Sequence, residues 1–120
     1  MGRKKRSAKS TPGVFLGPSK IHGVGVFAAG VIPKGTLLRL VDSDDWRYIE
    51  KPTGKTLKLC KHYCVWDGEG YHCPKSWTRM SVGWFLNDAD DPNLEPTGFR
   101  FRALRRISAG EELTIDYDGL

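Results

Sequence analysis

The chain has 120 residues, 39% apolar and 28% charged, which suits one soluble domain with a modest core and room for one active site. No apolar run approaches the roughly 18 residues of a membrane span and the first residues lack a signal peptide's apolar stretch, so no membrane role and an intracellular setting, cytoplasmic or nuclear, are expected. The net charge of +5 is local: Arg3, Lys4, Lys5, Arg6 and Lys9 lie in an acid-free first ten residues, and the other 14 basic residues are matched by 14 acidic ones.

Residues 1–13 are polar and basic and close on Pro12 and Gly13, the composition of a disordered arm. Such an arm can solubilise, contact nucleic acid or an acidic partner, or direct nuclear import through Lys4-Lys5-Arg6, and these readings stay open. The domain proper is residues 14–120. It starts with short β-like runs at 14–16, 25–28 and 36–41, separated by Gly and Pro. Residues 42–79 read as a β-rich insert of hairpins, with runs at 55–59, 63–66 and 71–73 around the turns Pro52-Thr53-Gly54 and Asp67-Gly68-Glu69-Gly70. A short helix is expected over 77–85. Residues 99–103 then alternate, Ile107-Ser108-Ala109-Gly110 turns, and 112–117 make the last strand. The pattern predicts a mainly β protein of several small sheets.

An odd number of cysteines, Cys60, Cys64 and Cys73, fits reduced thiols better than a disulfide framework. With His72 they offer three thiolates and an imidazole, a set that can hold tetrahedral zinc. The Cys60–Cys64 spacing is looser than the usual knuckle, and adjacent His72 and Cys73 point oppositely on a strand, so no metal is expected. Tyr63, Trp66 and Tyr71 can either wall a channel or pack within their hairpins.

Four motifs occur in order. Gly23-Val24-Gly25-Val26 lies just before a strand, where missing Cβ atoms let backbone amides approach a ligand. Ile32-Pro33-Lys34-Gly35 follows, then Trp84-Phe85-Leu86-Asn87 with Pro92-Asn93, then Gly110-Glu111-Glu112-Leu113-Thr114-Ile115-Asp116-Tyr117. Over residues 14–118 this series resembles the SET-domain family of protein lysine methyltransferases. The resemblance implies a β-clip-like fold of several small sheets with a knot-like C-terminal core, in which the Asn87 and Tyr117 regions meet.

It further implies transfer of a methyl group from S-adenosylmethionine to a lysine side chain of a protein. Gly23, Val24, Gly25 and Val26 would line the cofactor site together with Asn87 and the backbone of Asp88, and Tyr117 would be the active-site tyrosine. Tyr63, Trp66 and Tyr71 are the candidates for the substrate channel. Asp88 and Ala89 stand where the family carries histidine and serine, which places a carboxylate near a cationic sulfonium. Three residues follow Tyr117, so a second subunit in a homodimer, the arm of another copy, or the insert is expected to complete the channel. The expected substrate is a lysine in a basic, histone-like segment. Ser7-Ala8-Lys9-Ser10-Thr11-Pro12-Gly13 itself looks like one, which makes Lys9 a candidate for automethylation. A catalytically silent binding module that acts through its arm and insert is the alternative.

Overall fold

A computed structural model describes residues 13–119. Apart from Gly13, the arm lies outside the described residues, and with it the expectations for Lys9 and Lys4-Lys5-Arg6. In chain order the strands are β1 (Val14–Pro18), β2 (Val24–Ala28), β3 (Leu37–Leu38) and β4 (Arg47–Ile49), followed by helix α1 (Gly54–Tyr63). Then come β5 (Val65–Trp66), β6 (Tyr71–Cys73), β7 (Asn87–Asp88), β8 (Leu94–Thr97), β9 (Arg100–Ala103) and β10 (Glu112–Ile115).

These strands make three small sheets, ordered β1-β2-β10-β7, β3-β9-β8 and β4-β6-β5. In the first, β1 and β2 form an antiparallel hairpin that sets Val14 opposite Ala28 and Phe15 opposite Phe27. Alternation sorts its faces: Val26 and Ala28 are fully buried, while Phe15 and Phe27 stack on the other side with ring centroids 5.6 Å apart. β10 pairs antiparallel with β2 and parallel with β7, so the last strand lies between two segments remote in sequence.

Side-chain and backbone hydrogen bonds hold that strand within the knot-like C-terminal core. Buried Asn93 donates from Nδ2 to the Glu112 carbonyl at 2.8 Å and accepts the Thr114 amide on Oδ1 at 2.8 Å. The Ala89 amide donates to the Ile115 carbonyl at 2.9 Å. Apolar packing does the rest: Val26, Leu38, Leu86, Leu94, Phe101, Ile107 and Leu113 belong to one continuous core shared by the first two sheets.

The insert departs from the sequence reading. Residues 55–59 are not a hairpin strand but part of α1. Lys55 to Leu59 alternates as a strand would, yet Leu57, Cys60 and Cys64 fall at three- and four-residue steps and share one helix face. Burial of Cys60 favours that period, and the run between Gly54 and Tyr63 holds a single β-branched residue, Thr56. The expected helix over 77–85 shrinks to a 3-10 turn at Val82–Phe85, and the expected strand over 36–41 is regular only at β3. The Asp67 to Gly70 turn is present: Asp67 Oδ1 accepts the amides of Glu69 at 2.9 Å and Gly70 at 3.0 Å.

Candidate active site

Two features meet around β7 and β10. The first is the loop from Ser19 to Gly23, which turns β1 into β2. Ser19 Oγ accepts the Ile21 amide at 2.9 Å, and the Ser19 amide donates to the Gly23 carbonyl at 2.8 Å. Gly23 takes φ of +47°, which favours glycine, and its surroundings are open: an added Cβ would meet nothing within 4 Å.

Asn87, buried on β7, holds this loop from beneath. Its Nδ2 donates to the carbonyls of His22 at 3.0 Å and Val24 at 3.2 Å, and to Glu112 Oε2 at 2.9 Å. Glu112 also accepts Ser19 Oγ at 2.8 Å, so one carboxylate links the loop, β7 and β10. Gly25 is where this carboxylate lies; a Cβ there would overlap its Oε2. The motifs single out Gly25 and Asn87 but assign no role to Glu112 or Ser19, which the fold joins to them. The second glycine was the available signal, since a glycine inside a strand marks a close approach.

The second feature is an open cavity of about 560 Å³ on the far side of β10. Trp46, Tyr63, Trp66, Trp84, Phe99, Phe101 and Tyr117 line it, with Leu86 and Ile115 at its base. Tyr117 is half-exposed, and its hydroxyl donates to the Leu86 carbonyl at 2.6 Å. Its backbone amide donates to Asp88 Oδ1 at 2.7 Å. Burial, and then the Asp88 carboxylate, push the Tyr117 phenol above its ordinary value, so it stays protonated well into alkaline solution.

Of the residues singled out in the sequence, Gly23, Val24, Gly25 and Asn87 are brought together. Val26 continues the same strand with its side chain turned into the core. Asp88 faces the Tyr117 backbone. Tyr63 and Trp66 line the cavity, whereas Tyr71 does not and packs on Trp66 with ring centroids 4.9 Å apart. Trp46, Trp84 and Phe99 were missed, because they come from three separate segments that only the fold assembles. The insert also reaches the glycine loop, where the rings of His22 and α1's His62 lie 6.3 Å apart. Burial pushes the Cys73 thiol up to about 11 and raises Cys64 further, so neither is a thiolate nucleophile at neutral pH.

Residues 23–118 match the SET domain family model. The chain belongs to the SET-domain family. Among solved structures it is similar to a humanized mutant of the Chaetomium thermophilum Polycomb Repressive Complex 2 bound to the inhibitor GSK126, with a TM-score of 0.66 and 23% identity. That match covers 94% of this chain and 16% of the other. It is also similar to a Plasmodium falciparum protein classed as a histone methyltransferase, with a TM-score of 0.60 and 20% identity over 88% of this chain and 96% of that one. At these identities the likeness is one of fold. No curated protein matches the sequence.

Proposed function

We propose that this protein transfers a methyl group from S-adenosylmethionine to a lysine side chain of a protein substrate. The observation that carries the proposal is the junction at β7 and β10. Tyr117 reaches the aromatic cavity from one side of these strands, and Asn87 fixes the glycine loop on the other. The description of the Plasmodium protein as a histone methyltransferase, taken with the SET-domain match, supports a protein lysine as acceptor.

The residues present fit the cofactor. Gly23 leaves open space against an ordered backbone, and Asp88 places negative charge beside Tyr117, suited to a cation. Gly23, Val24, Gly25 and Asn87 would hold the cofactor, which supplies an electrophilic methyl group on a cationic sulfur. The chain's own work is alignment and desolvation. A free lysine has a pKa of about 10.4, so its amine must lose a proton before it can act. Trp46, Trp84, Phe99 and Phe101 would pack along the lysine's aliphatic stem and exclude water, which favours the neutral amine. Tyr117 has committed its proton to the Leu86 carbonyl, so its oxygen presents lone pairs that can accept an amine N–H and orient the nitrogen.

The test is transfer of labelled methyl groups to lysine peptides with basic flanks. The wild-type chain should label a peptide, and Tyr117→Phe should lower the rate by about 10²-fold or more, the usual worth of a positioned polar group. Absence of transfer across a broad basic library, with cofactor bound, would leave the binding-module reading instead.

A further inference from the structure

The insert has a thiol centre where an apolar one would be expected. No member of the main apolar core comes from residues 42–81, and the fully buried side chains of the insert are Cys60, Cys73 and Pro74. A unit this small, with strands of two and three residues, has little apolar area with which to hold its shape. Its elements meet at sulfur. Cys60 lies in the last turn of α1, Cys64 caps that helix, and Cys73 ends β6.

From these positions we propose that Cys60, Cys64 and Cys73 form a binding site for a thiophilic divalent cation of the zinc class, which staples α1 to β6. Their three sulfurs lie within 4.8 Å of one another, and Cys60 Sγ is 3.7 Å from Cys73 Sγ. Zinc bound tetrahedrally at about 2.3 Å from each sulfur needs neighbouring sulfurs about 3.8 Å apart, so the Cys60–Cys73 edge already has that length and the edges to Cys64 exceed it by no more than about 1 Å. The helix supplies the spacing. Four residues along a strand would separate Cys60 and Cys64 by about 13 Å, whereas the same step along a helix puts them on one face about 6 Å apart.

His72 is not the fourth ligand. Its Nδ1 accepts from Trp46 Nε1 at 3.1 Å, its Nε2 meets Asp67 Oδ2 at 2.9 Å, and it faces away from Cys73 across the pleat. The fourth position is left to a water on the side of Cys64, the partly exposed member, which lines the aromatic cavity. Charge supports the same reading. Arg47 stands directly opposite Cys73 in the β4–β6 pairing, and its Nε is buried without a hydrogen-bond partner. A divalent cation with three thiolates carries one net negative charge, which the guanidinium would offset. On binding, three S–H protons pass to solvent as three metal–sulfur bonds form.

The experiment uses the full chain, purified reduced, with zinc and cobalt as probes. One equivalent of zinc should be retained, and cobalt should give thiolate charge-transfer and tetrahedral d–d absorption. Cys64→Ser is half-buried and should fold, and it should weaken zinc binding by at least about 10- to 100-fold, the range that loss of even an outer-shell partner costs. His72→Ala should leave the zinc affinity unchanged. The site is refuted if wild-type protein takes up neither ion while all three thiols react freely. It is equally refuted if mass spectrometry of reduced-purified protein shows a Cys60–Cys73 disulfide and no metal. None of these readouts depends on methyl transfer.

Discussion

At the scale of single residues, the glycine loop depends on one carboxylate. Glu112 binds Ser19 and Asn87 and occupies the space that a side chain at position 25 would need. Gly25→Ala should therefore displace Glu112 and destabilise the fold by about 1–3 kcal/mol, the cost of overpacking a filled site, as thermal or urea denaturation would show. Asp88 is the other decisive residue. Asp88→Asn keeps an acceptor for the Tyr117 amide and removes the charge, so the Tyr117 phenol should titrate at lower pH than in the wild type, read by difference absorbance of tyrosinate. The raised folded value also fixes a sign. The Tyr117 contribution to stability is intact below about pH 10, where the unfolded phenol titrates, and is lost as pH rises through the folded value. Asn87 and Gly25 stand out in the sequence through the motifs that resemble the SET-domain family. The role of Glu112 does not, since nothing in a sequence says which of two adjacent glutamates turns inward.

Among the elements, α1 departs most from the sequence pattern and the C-terminal strands follow it best, although the strand expected over 112–117 stops at Ile115 and Tyr117 begins a 3-10 turn. Phe101 and Ala103 alternate inward on β9, so a period of two named that strand correctly. Lys55-Thr56-Leu57-Lys58-Leu59 satisfies the same period, and beside the three- and four-residue spacing of Leu57, Cys60 and Cys64 it is the contact of Cys60 with Cys73 on β6, absent from local sequence, that favours the helix. The β5–β6 turn can be tested by pH. The amides of Glu69 and Gly70, and then His72, hold the Asp67 carboxyl down to about 2. A depressed folded value stabilises above the unfolded pKa of about 3.9 and is lost as pH falls through about 2. Melting curves of wild type and Asp67→Ala should differ at neutral pH and converge near pH 2.

Over the whole molecule, four motifs in order were enough to name the fold, through their resemblance to the SET-domain family and not through any physical rule that ties those turns to the topology. The clamp that secures the threading was less visible. Asn93 appeared in a motif without a role, yet it is buried and bonds both the carbonyl of Glu112 and the amide of Thr114. Asn93→Ala would leave both groups unpaired and should cost about 2–6 kcal/mol of global stability by urea denaturation, since each orphaned buried group costs about 1–3 kcal/mol. The cavity was the least legible part. Trp46, Tyr63, Trp84, Phe99 and Tyr117 are spread over more than half the chain, and only the folded arrangement gathers them around one cavity.

The central claim is that the Asn87-anchored glycine loop binds S-adenosylmethionine. Calorimetric titration of the cofactor into wild-type protein and Asn87→Ala, each checked for folding by circular dichroism, tests it most directly. Saturable binding by the wild type, lost in a folded Asn87→Ala, is the predicted result. No binding at about 1 mM cofactor, an affinity weaker than about −4 kcal/mol, or equal binding by both proteins, would contradict it.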